Sequence, residues 1–443
     1  MKVLIIGGVA AGMSVAAKLS RIEPEASIKV FEHGPDVSYG ACGLPYFVSG
    51  LNPNPELMRI RSVAEFEASG IEVAMGSTVV KVDPQARKIT SRHAQSGQET
   101  EEAYDKLVIA TGANPIVPNL PGIDLANIYT LKTIPDAESI RSALLPEKVK
   151  NVVIIGAGYI GMEMVESCVL LGKKVRVVEM KDQALPPMDK EFAQLAQDEA
   201  EKHGVEFNLG EAVTGFSGKA SVQQVLTDKG AYPADLVLLC IGVSPNTRFM
   251  RDTGLDMLPN GAIITDQKMR TNIADIYAAG DCSTVWHKLL NKPVYLPLGT
   301  NANKQGRALA LSMLDKGPGF PGALGTAVLR VLDLEMGRTG ISEAEAIRNN
   351  LEYATSQVKV MDLPPYFPGP TLLHIKLTYH PQTKVIMGAQ IAGTKGAVGR
   401  VATMAAVVDR QMTIQELNDL DLPYAPPFSM VWDALHVAGG AAK

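Results

Sequence analysis

Cysteine is scarce in this chain: four residues in 443, at positions 42, 168, 240 and 282. That is too few and too scattered for a disulfide framework, and free thiols imply a reducing compartment. There is no C-x-x-C pair and no H-E-x-x-H, and the seven histidines are dispersed, so no zinc or iron–sulfur site is expected. The absence of a G-x-x-x-x-G-K-[ST] loop disfavours nucleotide hydrolysis. No apolar run reaches the ~18 residues of a membrane span. The N-terminal Val3-Leu4-Ile5-Ile6 stops at Gly7-Gly8 rather than continuing as a signal peptide. With 42 Lys and Arg against 47 Asp and Glu, the net charge is −5, which gives no basic field for nucleic acid. The expectation is a soluble, cytoplasmic protein with no metal and with neither nucleic acid nor membrane as partner.

What is present is a repeat. Lys2-Val3-Leu4-Ile5-Ile6-Gly7-Gly8 and Asn151-Val152-Val153-Ile154-Ile155-Gly156-Ala157-Gly158 each join an apolar strand to a glycine turn and a helical pattern. Each is followed by a second strand ending in Glu, at Glu32 and Glu179. Two such βαβ units predict two dinucleotide sites in an α/β fold. Further buried strands end in Gly turns at residues 106–112, 235–242 and 276–280, with Cys240 inside the second. The three prolines of residues 114–121 suggest a linker. From about residue 325 the pattern changes. Alternating runs at 372–379 and 385–391 predict antiparallel strands, and residues 398–410 a helix, so an α+β domain closes the chain. The length suggests about three domains at roughly 150 residues each.

The first glycine cluster, Gly7-Gly8-Val9-Ala10-Ala11-Gly12, is a degraded G-x-G-x-x-G: Gly7 can make the turn and Gly12 the close packing, but position 9 is Val. Glu32, 20 residues after Gly12, stands where a ribose-binding acid is expected. The second cluster, Gly156-Ala157-Gly158-Tyr159-Ile160-Gly161, fits in full. Glu179 there would accept from a ribose 2′-hydroxyl and repel a 2′-phosphate, which favours NADH over NADPH, with Arg176 and Lys181 able to soften the preference. Asp281, after a strand and a Gly, either caps a helix or binds a ribityl hydroxyl.

Cys42 lies in Ser38-Tyr39-Gly40-Ala41-Cys42-Gly43-Leu44-Pro45-Tyr46. An isolated Cys is most often a small buried hydrophobe. This one is flanked by Gly and bounded by Pro, just past a dinucleotide signature. If it opens a helix, the helix dipole favours its thiolate. With no cysteine neighbour, its second sulfur must come from a substrate. Cys168 and Cys240 look structural.

Together these residues resemble the two-dinucleotide-fold flavoprotein disulfide reductases over nearly the whole chain. The resemblance implies FAD on Gly7, Gly8, Ala11, Gly12 and Glu32, with Ala110, Thr111, Gly112, Gly280 and Asp281 completing the cradle. It implies NAD(P)H on Gly156, Gly158, Tyr159, Ile160, Gly161, Glu179 and Gly242, Tyr159 being the gate over the flavin. The implied domains are 1–116 with 250–324 for FAD, 117–249 for NAD(P)H, and 325–443 for dimerisation. Two-cysteine members carry C-x-x-x-x-C, but Phe47 occupies the second position here. The single-cysteine branch remains: coenzyme A-disulfide reductases, persulfide or sulfur reductases, NADH oxidases and peroxidases. Ala10 replaces the His that peroxidases and water-forming oxidases place near the cysteine. Tyr366 and Tyr424 match the tyrosines that coenzyme A-disulfide reductases donate from the partner subunit of a homodimer. Ser14, Lys18, Arg21 and Ser38 match coenzyme A contacts, with Arg61 and Asn303 as further candidates. Ala41 departs from the Asn of that branch, so a coenzyme A persulfide or polysulfide fits as well as the disulfide. The implied activity is FAD-dependent reduction, by NADH or NADPH, of coenzyme A disulfide or persulfide through a Cys42–S–S–CoA mixed disulfide. The alternatives are an NADH oxidase, passing electrons from flavin to O₂, and a flavin-bound redox sensor.

Overall fold

The computed structural model describes residues 1–442 and divides into two units, Met1–Ile116 with Lys132–Ala137 and Val243–Ala323, and Val117–Leu131 with Glu138–Gly242 and Leu324–Lys443.

The first unit is built on the strand Lys2–Ile6. Its Val3, Leu4 and Ile5 are fully buried, because both faces of the sheet are covered: Val3 and Ile5 pack with Met13, Val15 and Leu19, and Leu4 with Val79, Val82 and Ile89. The sheet order is Ile276–Ala278, Lys106–Ile109, Lys2–Ile6, Ser27–Glu32, Ile71–Met75, all parallel. Helix Ala10–Ile22 makes the crossover, burying Met13, Val15, Ala16 and Leu19 at helical spacing. It packs on helix Gly299–Ser312, where a Cβ on Gly306 would lie 2.5 Å from the Ala11 carbonyl oxygen. A three-stranded antiparallel sheet, Ser77–Asp83, Lys88–His93 and Glu99–Ala103, completes the unit.

The second unit repeats the plan. Its parallel sheet runs Glu206–Leu209, Lys174–Glu179, Asn151–Ile155, Leu236–Leu239, Ile128–Tyr129, with helix Tyr159–Leu170 as crossover. It also holds the five-stranded antiparallel sheet Ala327–Val331, Leu334–Gly340, Ile386–Gly393, Leu372–Tyr379, Ala354–Met361, with helix Ala397–Asp409 following. The fold class is therefore α/β with two Rossmann-like sheets and an α+β C-terminal region. Buried ions hold this region together. Lys376 sits among Asp189 (3.0 Å), Glu191 (2.5 Å) and Glu343 (2.6 Å), and Arg330 pairs with buried Glu166.

Three local expectations are corrected. Residues 114 and 115 are not linker: Ala113–Pro115 pairs antiparallel with Val243–Pro245 within the first unit. Cys240 lies one residue beyond its strand and is only half-buried. Asp281 caps no helix, since Gly299 opens the next one.

Candidate active site

In the first unit the turn after Lys2–Ile6 is fixed by backbone contact. Gly7 has φ +107°, and a Cβ there would lie 2.2 Å from the Ala110 carbonyl oxygen. At Gly12 it would lie 1.9 Å from that of Gly7. Strand, turn and helix can close up only where those side chains are absent. Glu32, 3% exposed, accepts from the amides of Gly8 and Gly34, both at 2.7 Å. Burial raises its carboxyl, but hydrogen bonds from His33, Gly34 and Gly8 outweigh this and hold it below the usual range. Helix Ala10–Ile22 starts with no side-chain cap and no acid in its first turn, which suits a bound pyrophosphate.

The turn Ala110-Thr111-Gly112 belongs to the same unit. Ala110 donates to the Ile6 carbonyl, and Thr111 Oγ1 donates to that of Asn246. Gly280, φ +83°, lies against Ala11, and its amide donates to Gln305 Oε1 at 2.9 Å. Asp281 follows. Burial raises its carboxyl, partly offset by Lys132, whose Nζ is 3.8 Å away. The Lys132 carbonyl accepts from Tyr39 OH. Lys132 escaped the sequence reading because it lies in the six residues 132–137 that rejoin this unit from far along the chain.

Cys42 is exposed, in the 3₁₀ turn Ala41–Gly43 that leads into helix Leu44–Ser49. A Cβ on Gly299 would sit 3.8 Å from its Sγ, so the start of helix Gly299–Ser312 lies beside the sulfur, where an anion is stabilised. Phe47 is buried in helix Leu44–Ser49. The other thiols are withdrawn: burial pushes Cys168 and Cys240 up to about 12 and Cys282 up to about 11. Ser38, held at φ +47° with its amide donating to the Gly8 carbonyl, leads into the cysteine turn. Ser14 and Asn303 come together, Oγ to Oδ1 3.0 Å. Lys18 and Arg21 follow Ser14 at i+4 and i+7 on one face of helix Ala10–Ile22. Arg61 is not gathered in with them. Its guanidinium stacks 4.1 Å from the Phe66 ring centroid and donates to the Glu65 carbonyl.

The second unit repeats the turn: a Cβ on Gly156 would lie 2.5 Å from the Cys240 carbonyl oxygen, and one on Gly161 2.0 Å from that of Gly156. Gly158 meets nothing within 4 Å, so its role is to leave space open above the turn. Glu179 takes the place of Glu32, accepting from the amides of Ala157 (2.8 Å) and Lys181 (2.9 Å). Tyr159 opens the uncapped helix, its phenol raised by burial. Ile160 is exposed beside it, and Gly242 (φ +110°) ends the neighbouring turn. Arg176 is committed to Asn208, Glu206 and the Tyr232 ring. Glu163, one turn after Tyr159, was not anticipated: burial, then the charge of Glu166, raises it to about 7. Only its half-buried place beside Glu166 marks it, which no motif records. In the C-terminal region Tyr366 and Tyr424 share a hydrogen bond, 2.8 Å between hydroxyls, and Phe428, Val431 and Trp432, a few residues further along the chain than Tyr424, are exposed.

The family profile described as pyridine nucleotide-disulphide oxidoreductase matches residues 1–306, and that family's dimerisation domain matches residues 326–434. A protein of Pyrococcus abyssi named NAD(P)H sulfur oxidoreductase (CoA-dependent) is 36% identical over 442 residues, covering 100% of this chain and 98% of that one. An NADH oxidase of Enterococcus faecalis is 32% identical over 445 residues, covering 100% and 99%. The crystal structure of reduced Bacillus anthracis CoADR-RHD superposes with TM-score 0.96 at 33% identity, over 100% of this chain and 80% of that one. With two glycine-turn Rossmann sheets, a cysteine turn and matches across its length, the chain belongs to the pyridine nucleotide-disulphide oxidoreductase family.

Proposed function

We propose that the protein is an FAD-dependent NAD(P)H oxidoreductase that reduces coenzyme A disulfide, or a coenzyme A persulfide or polysulfide, through Cys42. The observation that carries this is an exposed thiol beside a helix start, with buried Phe47 where a second cysteine would be. The sulfur that completes a disulfide is then the substrate's. The first-unit turns of Gly7, Gly8, Ala11 and Gly12, with Glu32, Ala110, Thr111, Gly112, Gly280 and Asp281, fit FAD: the helix start is uncapped and Asp281 awaits a donor. Gly156, Gly158, Tyr159, Ile160, Gly161, Glu179 and Gly242 fit the nicotinamide dinucleotide, with open space above Gly158. Because Arg176 is committed elsewhere, Glu179 favours NADH. The domains we assign are 1–116 with 250–324, 117–249 and 325–443, with residues 132–137 and 243–249 packing in the first unit.

When bound, FAD carries two electrons from NAD(P)H to the sulfur of Cys42. The Cys42 thiolate attacks one sulfur of coenzyme A disulfide, forming Cys42–S–S–CoA and expelling one coenzyme A thiolate. Two electrons then cleave the mixed disulfide, giving back the Cys42 thiolate and a second coenzyme A thiolate. Tyr424, hydrogen-bonded to Tyr366, protonates the leaving thiolate, proximity compensating for a weak acid. We place these tyrosines across the interface of a homodimer. Ser14, Lys18, Arg21, Ser38 and Asn303 meet the coenzyme A, the two cations taking phosphate charge. Arg61, whose guanidinium lies over the Phe66 ring and donates to the Glu65 carbonyl, stays a further candidate for the same role.

The test is the mass of the denatured, unreduced protein together with turnover of the Cys42→Ser variant. We expect a coenzyme A-sized adduct on Cys42, and a variant that keeps FAD but loses disulfide reduction. Unchanged turnover of coenzyme A disulfide by that variant would refute the mechanism. The resemblance to an NADH oxidase keeps O₂ as a second acceptor, scored by oxygen consumption without added disulfide.

A further inference from the structure

Tyr424 lies in a long connection of the second unit. From helix Ile414–Asn418 to helix Ala434–Ala441 the chain runs through residues 419–433 with no helix or strand of its own. Prolines 423, 426 and 427 bring no backbone donor. The bonds inside the connection are local. The amides of Phe428 and Ser429 donate to the Ala425 carbonyl, and Ser429 Oγ donates to that of Pro423 at 3.0 Å. Among the described residues, the one hydrogen bond that residues 421–432 make outside the connection is that of Tyr424 with Tyr366.

The two ends of the connection meet at His436, 7% exposed on helix Ala434–Ala441. Its Nδ1 is 3.1 Å from the Asp433 amide, and its Nε2 is 2.7 Å from the Leu420 carbonyl oxygen. An amide N–H only donates and a carbonyl only accepts, so Nδ1 is the acceptor and Nε2 carries the hydrogen. The first contact is a helix cap, which Glu or Gln ordinarily supplies and for which a histidine is not required. The second contact goes beyond a cap: it ties residue 420 to the helix that starts after residue 433. The Asp433 end is itself fixed. Arg400 Nε donates to both carboxylate oxygens of Asp433 at 3.1 Å, and Arg400 Nη2 to one of them at 2.5 Å. The Trp432 and His436 rings meet at right angles, with centroids 5.8 Å apart. One rigid ring thus closes the base of the segment that carries Tyr424, and a segment closed at its base has less freedom to lose when its tip must be placed.

We propose that His436 is a positioning residue for Tyr424: by clasping the Leu420 and Asp433 ends, it holds the Tyr424 hydroxyl where the leaving thiolate needs a proton. The assignment rests on the reading of Tyr424 as proton donor given above.

The experiment is rapid-mixing kinetics of the two half-reactions, flavin reduction by NADH and thiol release from coenzyme A disulfide. It compares wild type, His436→Asn, His436→Gln and Tyr424→Phe, with FAD content and melting temperature measured for each. Asn sets its oxygen where Nδ1 stands, so it keeps the cap, but its amide falls short of Leu420. Gln offers an oxygen to the Asp433 amide and an N–H that reaches Leu420. His436→Asn should fold with full FAD content, reduce its flavin at the wild-type rate, and release thiol about tenfold more slowly. His436→Gln should recover most of that loss. Unchanged thiol release in His436→Asn would overturn the proposal. So would equal slowing of both half-reactions, which a merely structural role would give, or a loss as large in His436→Gln. If Tyr424→Phe releases thiol at the wild-type rate, Tyr424 is not the donor, and the positioning role falls with that reading. If Tyr424→Phe is slow and His436→Asn is not, the positioning role alone fails.

Discussion

Glu32 and Glu179 show how one residue type is used twice. Each ends the second strand of its unit, and each holds the amide of the residue after the first glycine of the turn, Gly8 and Ala157. The acid therefore shapes the turn as well as offering itself to a ribose. Glu163 differs, having no amide ladder to keep it charged. Burial and Glu166 lift it from 4.5 to about 7. Between those values the folded chain binds the proton that the unfolded chain has released, so this group's contribution to stability is complete below about pH 4.5 and declines as pH rises towards 7. Glu163→Gln cannot titrate. The melting temperature of the variant should therefore gain on that of wild type from pH 5 to pH 7 and stay level above pH 8. Parallel curves across that range would show that Glu163 does not titrate there.

At the scale of elements, the strand–turn–helix units were the most legible part of the chain. The last glycine of each turn answers to a contact a few residues away: Gly12 to the Gly7 carbonyl, Gly161 to that of Gly156. A pattern so local survives in sequence. The same contact predicts that Gly161→Ala, whose Cβ would lie 2.0 Å from backbone oxygen, forces the second-unit turn open. We expect a loss of about 1–3 kcal/mol in chemical denaturation and a raised KM for NADH, with FAD content unchanged because the first unit has its own turn. Loss of FAD in this variant would mean that the two turns are not independent. What sequence could not show depends on distant partners. The pairing of Ala113–Pro115 with Val243–Pro245, the approach of Gly299 to Cys42 and of Lys132 to Asp281 are set by tertiary closure. The Phe66 ring beneath the Arg61 guanidinium is likewise absent from the basic motif that the sequence displays.

At the scale of the whole molecule, the C-terminal region presents Tyr366, Phe428, Val431 and Trp432 at 62–78% exposure. Large apolar side chains exposed in this number are unusual, and the match to a dimerisation domain over residues 326–434 supports a second copy as what covers them. In a two-fold dimer each subunit offers the same patch, and on the proposed placement of the tyrosines across that interface each Tyr366–Tyr424 pair serves the opposite Cys42. This arrangement predicts complementation. Cys42→Ser and Tyr424→Ala proteins, each inactive towards coenzyme A disulfide, are unfolded together and refolded as a mixture. Half of the dimers formed at random carry one of each subunit. In those, the intact Cys42 of one subunit meets the intact Tyr424 of the partner subunit, so one of two sites is complete. Activity should return to about a quarter of wild type, one half of one half, for random two-fold pairing. If each tyrosine serves the cysteine of its own chain, every mixed dimer holds two broken sites and no activity returns.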